Sequence, residues 1–353
     1  MIGLHYSRTR LFHVLVVVTL ICTAVVVSGD LSALEKANSV KGWVQGVGWG
    51  WIWGEQDEVG SLNAMTADTK LAALQIAQQG RVFDLGITYS RASFKWPGHN
   101  PGEVMTFRSP VGAKVQQDHE FMSPEANPRG VGWHSCALFM SDNVATQIDS
   151  LGHVTAGEDN HWYNGFTEAD YGGDFGIRRC DATTIPPIVA RGVLLDIAGL
   201  KGVEALPSKY AITPADVEAA TRRQKVELRP GDVVLLRTGT LRFWGEEGAD
   251  SEKIGEHDSA GINLATAKYL VEQRGAMMIG SDTSGLECPP TSKDEGFIPV
   301  HRYLLVDQGV HIAEFHYLED LAREQIYEFC YIAMTNKIAG TTAGFTMRPI
   351  AIH

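Results

Sequence analysis

Side chains able to do chemistry concentrate between Ser141 and His153, in the run SDNVATQIDSLGH, which lies between the apolar CALFM and the loop VTAGEDNHWYNG. Asn143, Gln147, Asp149 and His153 stand at i, i+4, i+6 and i+10. In an extended segment, residues two or four apart share a face, so all four side chains would converge on one ion or substrate. The competing reading is a surface strand whose outward face is merely polar, because Asn and Gln are weak, neutral ligands. A second group begins at His301, in HRYLLVDQGVHIAEFHYLEDLA. Here YLLV reads as a strand, Gly309 as a turn and Glu314 as part of the next apolar stretch, so His301 and Glu314 could meet on paired strands. One histidine with two carboxylates is a usual donor set for a first-row divalent ion. His311 and His316 are rivals, although any one such histidine is more often a hydrogen-bonded core or surface residue.

These groups need a scaffold, and the chain supplies the signals of one. Thr66 to Gln79 reads as a capped helix closed by Gly80, and the strand RVFDLGITY follows. A second helix opens at Thr213-Pro214-Ala215-Asp216, where Thr caps, Pro takes the first helical position and Asp faces the positive end of the dipole. It stops before Pro230. VVLLRTG, GVLLDIAG and AMMIGSD are β-branched apolar runs of buried-strand type, and a third helix, Asn263 to Arg274, ends at Gly275 just before the last of them. Alternation of helix and strand gives an α/β class: a single domain with a central mixed sheet and flanking helices. The sequence contains no GxGxxG after a first strand, no GxxxxGK[ST] and no G-x-S-x-G, which removes the common phosphate cradles and the serine nucleophile elbow.

The 353 residues carry 30 Lys+Arg against 42 Asp+Glu, a net charge of −12, and 44% are apolar. That composition buries a core, and an acidic chain without a basic cluster has no phosphate-tracking surface, so nucleic acid is not expected as a partner. Arg8 and Arg10 precede the uncharged run Leu11 to Val27 and then Ser28-Gly29-Asp30, the order of a secretory signal. Cleavage near Gly29 would leave residues 30–353 secreted or periplasmic, with no stable membrane insertion; uncleaved, the run would be an anchor. Cys136, Cys180, Cys288 and Cys330 remain, as two disulfides or as four buried thiols. The opening Gly42 to Gly54 is rich in Trp without a regular period, and its indoles are expected on the body or a neighbouring subunit. Trp96, Trp133, Trp162 and Tyr163 are candidates for lining a pocket, the first two favouring packing.

The stretch Asn143-Val-Ala-Thr146-Gln147-Ile-Asp149-Ser-Leu-Gly-His153 resembles H-x-G-T-H-x-D-x-x-x-H, the hallmark of the metal-dependent cyclase/hydrolase family that contains bacterial kynurenine formamidase and isatin hydrolase. Thr, Asp and the last His are kept at the same spacing, while Asn, Ala and Gln replace the first His, the Gly and the second His. The segments WGEQDEVGSLN, GRVFDLG, PPIVARGVLLD, GDVVLLRTG, GSDTSGLE and HRYLL resemble family segments in the family's order, from about Gly42 to Leu321. The resemblance implies the family's swivelling β/β/α fold. It implies that Asn143, Gln147, Asp149, His301 and Glu314 hold a divalent metal ion, Mn²⁺ or Zn²⁺, and that His153 is the general acid/base. An amide oxygen is harder than imidazole, so weaker Zn²⁺ binding and a relative preference for Mn²⁺, Mg²⁺ or Ca²⁺ are expected.

The expected activity is hydrolysis of an amide or lactone bond in a small cyclic or aryl substrate by metal-activated water. One alternative is a binding protein that keeps the fold, lacks hydrolysis and captures a small aromatic or cyclic metabolite. Another is a metal-free acid/base pair of His153 and Asp149. A homo-oligomer is expected from the resemblance and the Trp-rich opening.

Overall fold

The computed structural model describes residues 52–353 apart from 246, 247 and 291. The expected signal segment and most of the Trp-rich opening lie outside the described residues. Among the described residues no helix is long and apolar enough to cross a membrane.

Nine strands form the main sheet: β1 (Val82–Asp84), β2 (Gln147–Asp149), β3 (Ile188–Asp196), β4 (Val233–Arg237), β5 (Met278–Ser281), β6 (His311–Glu314), β7 (Glu328–Ala333), β8 (Ala343–Gly344) and β9 (Ile350–Ile352). Their spatial order is β1-β9-β7-β3-β4-β5-β6-β2-β8. The centre, β3 to β6, is parallel, and the pairings on both sides of it are antiparallel. The sheet is therefore mixed, and its parallel centre comes from the apolar runs of the sequence. Val193, Leu195, Val234 and Leu236 face one core, whereas Leu194, Val233 and Leu235 face another. A strand covered on both sides has no polar face to alternate with, hence the continuous VVLL and VLL runs.

Helices form where the caps occur. Thr66 caps α1 (Ala67–Leu74), shorter than the run to Gln79, and Thr213 and Asp216 form a capping box on α2 (Pro214–Gln224). Asn263 caps α3 (Leu264–Lys268), which continues as a π-helical turn, Tyr269–Gln273, before Gly275 at φ +69°.

Two local expectations are overturned. YLLV is not a strand: the short helix α4 (Pro299–His301) passes directly into a π-helical segment, Arg302–Gln308, closed by Gly309 at φ 66°. Pro299 sits in its first turn, and Tyr303, Leu304, Leu305 and Val306 are all buried. A short run that is apolar all round fits a buried helix as well as a strand, so periodicity could not separate them. Nor is residues 143–153 one extended segment. Only Gln147–Asp149 is a strand, Ala145 is left-handed at φ 59°, and His153 lies in a turn closed by its N–H on the Ser150 carbonyl. The four cysteines among the described residues are free, Cys136 exposed and the others buried, so the two-disulfide reading does not hold.

Candidate metal centre and its cavity

Strand β2 carries Gln147 and Asp149 two residues apart, so both side chains leave the same face. Its antiparallel partner β6 sets Glu314 opposite Gln147 and Ile312 opposite Asp149. Thr146, kept from the family motif, fixes this register by donating to the Phe315 carbonyl (2.8 Å) and accepting from the Ile87 N–H (2.9 Å). His301 arrives from α4. Its Nε2 lies 3.5 Å from Glu314 Oε1 and 4.0 Å from Asp149 Oδ2. Asp149, His301 and Glu314 each offer a ligand atom, and these atoms lie within 4.8 Å of one another with all three residues buried.

The amides stand beside this trio in different ways. Gln147 Nε2 faces Glu314 Oε2 at 2.7 Å, Asn143 Oδ1 at 3.0 Å and Asp149 Oδ1 at 3.3 Å. An NH₂ group has only two protons for these three acceptors. Asn143 touches Gln147 and Asp142 but neither ligand carboxylate in the contacts the structure shows. Gln147 Oε1 and Asp149 Oδ2 are buried with no hydrogen-bond partner.

Glu287 was not singled out in the sequence, although it ends GSDTSGLE. Its Oε1 lies 2.5 Å from His301 Nδ1, and its Oε2 accepts from the Val300 N–H at 2.9 Å. A carboxylate behind the far nitrogen of a ligating histidine fixes the ring and raises its basicity. Burial alone would depress the His301 imidazole, but Glu287 and Glu314 outweigh it and bring it up to about 10. Burial, and then the charge of Asp149, holds the Glu314 carboxyl well above its ordinary range. Three carboxylates around one imidazole leave the centre short of positive charge. With an orphaned carboxylate oxygen and an O,O,N donor set, the residues fit a divalent cation.

His311 and His316 serve the backbone. His311 Nδ1 lies 2.9 Å from the Asp149 carbonyl and Nε2 3.2 Å from the Val59 carbonyl. His316 bonds the Glu314 carbonyl through Nδ1 (3.0 Å) and the Tyr331 hydroxyl through Nε2 (2.8 Å); burial pushes it down to about 4.

His301 and Glu314 open onto a cavity of ≈ 1300 Å³ whose wall also includes His153, His99, Trp96 and Phe297. His153 Nδ1 lies 3.3 Å from Thr342 Oγ1, and its ring faces His99 at 6.4 Å between centroids. His99, whose ring lies 5.1 Å from that of Trp96 at an angle of 53°, was not found in the sequence, because nothing near it repeats a ligand spacing. Of the four candidate pocket aromatics, Trp96 alone lines this cavity; Trp162 and Tyr163 are buried in the core and Trp133 lies elsewhere.

The sequence profile of the Cyclase family matches residues 83–288. A solved structure described as a novel cyclase is 30% identical, with a TM-score of 0.72, covering 85% of this chain and 98% of that one. Isatin hydrolase A from Ralstonia solanacearum is 19% identical with a TM-score of 0.54, covering 81% of this chain and 97% of its own. Isatin hydrolase A from Labrenzia aggregata, bound to benzyl benzoate, is 18% identical with a TM-score of 0.51, covering 81% and 98%. No curated protein matches the sequence.

Proposed function

Because the chain belongs to the Cyclase family, and shares its α/β fold, we propose that it is a metal-dependent hydrolase of an amide or lactone bond in a small cyclic or aryl substrate. The observation that supports this reading is the buried trio Asp149, His301 and Glu314, with one carboxylate oxygen unpaired, of which His301 and Glu314 line a cavity that also holds His153. In this reading these three residues hold a divalent ion, Mn²⁺ or Zn²⁺, with Gln147 beside them and Asn143 orienting Gln147. When bound, such an ion supplies Lewis acidity that polarises a carbonyl and favours ionisation of water near neutral pH.

The chain's own residues do the rest. Glu287 keeps the His301 ring turned so that Nε2, not Nδ1, faces the carboxylates. His153 can accept a proton at Nε2 while Thr342 holds Nδ1, and can return it to the leaving nitrogen or oxygen, a role worth about 10²–10⁴-fold in rate. Trp96 and Phe297 offer apolar surface to a flat ring and keep bulk water from it. The amino-terminal Arg8, Arg10 and Leu11–Val27 pattern supports export of this enzyme to the periplasm or medium.

Elemental analysis of the purified chain should find a divalent ion, and a panel of aryl formamides, cyclic imides and lactones should show turnover that a chelator abolishes. Stoichiometric recovery of ligand with no turnover would replace the hydrolase with a binding protein, and chelator-insensitive turnover would remove the ion.

A further inference from the structure

Thr342 is the only group among the described residues that hydrogen-bonds the His153 ring, and it is itself held from two directions. It stands one residue before β8, whose Ala343 lies opposite Asp149, and its carbonyl accepts from the Ser150 N–H at 2.9 Å. The ladder that carries the candidate ligand strand β2 therefore also places the Thr342 hydroxyl. From the other direction comes Asp142, 200 residues away in sequence. Its Oδ2 accepts from the Thr342 N–H at 2.5 Å, the Thr342 hydroxyl at 3.0 Å and the Ala343 N–H at 3.3 Å. Its Oδ1 accepts from Asn143 Nδ2 at 2.9 Å. Donors on both oxygens hold this carboxylate in place.

The proton count then decides the state of the ring. A carboxylate only accepts, so the single hydroxyl proton of Thr342 goes to Asp142. Toward His153 the hydroxyl has only lone pairs left, and the atom it meets, Nδ1 at 3.3 Å, must carry the proton of the neutral imidazole. Nε2 is then bare. The opposite arrangement, a hydroxyl donating to Nδ1, would put the proton on Nε2 and leave His153 unable to take one from water. His99 does not exert the same control. Its ring, hydrogen-bonded to the Asn143 backbone, faces His153 at 6.4 Å between centroids, and no hydrogen bond joins the two.

We propose that Asp142 is a positioning residue which, through the Thr342 hydroxyl, fixes His153 in its Nδ1–H tautomer with Nε2 free for the cavity. A carboxylate thereby orients an imidazole base as in a catalytic triad, with a hydroxyl inserted between the two. That the bare nitrogen serves hydrolysis rests on the function proposed above; the tautomer does not. The rival is a purely structural part for Asp142, which ties the entry of β8 to the segment before β2. Thr342 separates the two. Thr342→Val removes the hydroxyl but keeps both backbone N–H bonds to Asp142, whereas Thr342→Ser keeps the hydroxyl as well.

Nitrogen NMR of the full chain with isotope-labelled histidine reports which ring nitrogen carries the proton. The chain is chelated to remove any paramagnetic ion and held at about pH 8, where an ordinary imidazole is neutral; the signal lost in His153→Ala identifies the residue. Expected is Nδ1–H in the wild type and in Thr342→Ser, and a shift toward Nε2–H in Thr342→Val. In steady-state rates, Thr342→Val should lower kcat about tenfold or more with KM and ion content nearly unchanged, and Thr342→Ser should stay within about threefold of wild type. Added to Asp142→Ala or to His153→Ala, Thr342→Val should cost no more than about twofold, because the same chain of bonds is already broken. An Nε2–H wild type overturns the proposal even if no hydroxyl variant folds. So does a folded Thr342→Val that keeps the wild-type tautomer, or losses that multiply in the double variants. A wild type that holds Nδ1–H but turns over no substrate would remove the hydrolase and leave the positioning of His153 standing.

Discussion

The two sides of the candidate metal centre are built to different standards. On one side, His301 is backed by Glu287, which the Val300 amide holds in turn, and Glu314 is anchored through its carbonyl by His316. On the other side, Asn143 and Gln147 bond one another, and Gln147 must serve three acceptors with two protons. The first side is arranged around a charge to be held. The second fills the same space with neutral amides, leaving Asp149 as its only anionic donor. The difference teaches that ion binding here should depend on Asp149, His301 and Glu314 far more than on the amides.

The largest expected effect breaks that comparison open. Asp149→Ala should lose the ion and lower kcat/KM by on the order of 10³-fold or more, while Asn143→Ala should cost about tenfold or less. Equal losses by the two variants would show that the amide side holds the ion as firmly. Elemental analysis and steady-state rates measure both.

Next comes a control from the segment that also supplies Glu287. Asp282 accepts from Thr238 N–H (2.7 Å), Thr238 O–H (2.6 Å) and Gly239 N–H (2.8 Å), yet burial outweighs these bonds and brings it up to about 6. A carboxyl raised in the folded state binds more protons there than in the unfolded chain, so its contribution to stability falls as pH rises from about 4 to about 6. The linkage is on the order of 3 kcal/mol. Urea unfolding of Asp282→Asn between pH 4 and 7 should show a correspondingly flatter profile than wild type, with the ion still bound at neutral pH.

Glu287→Gln removes the charge behind His301 and should weaken ion affinity by about 10–100-fold in a competition titration, with the melting temperature changed much less. Gln147→His sharpens the contrast from the amide side. An imidazole there should tighten Zn²⁺ by about tenfold relative to Mn²⁺; an unchanged selectivity would mean that residue 147 does not face the ion. The smallest effect concerns Ala145, which stands at φ 59° where the family motif has Gly. Ala145→Gly should raise stability by roughly 0.5–1 kcal/mol in chemical denaturation, because Cβ makes that conformation costly.

The central strands of the sheet were legible because VVLL and AMMIG lie between caps and glycines that allow little else, and Thr213 and Asn263 cap helices where their neighbours require. The helix after Pro299 was not, since YLLV is apolar in every direction once both its sides are covered. Asp149, His301 and Glu314 were legible through residue type and family spacing. Glu287 and His99 were not, because each acts through a contact made by a distant part of the chain, and no local spacing encodes a partner 14 or 44 residues away.

Gln147 reaches Glu314 across 167 residues of sequence, and His301 enters from a third place between them. No fragment of the polypeptide that stops short of β6 can gather these donors. A tightly held cation would thus be acquired only after nearly the whole chain has been synthesised and folded, and its release would serve as a sensitive gauge of proteolytic nicking anywhere in the long connection from β2 to β6.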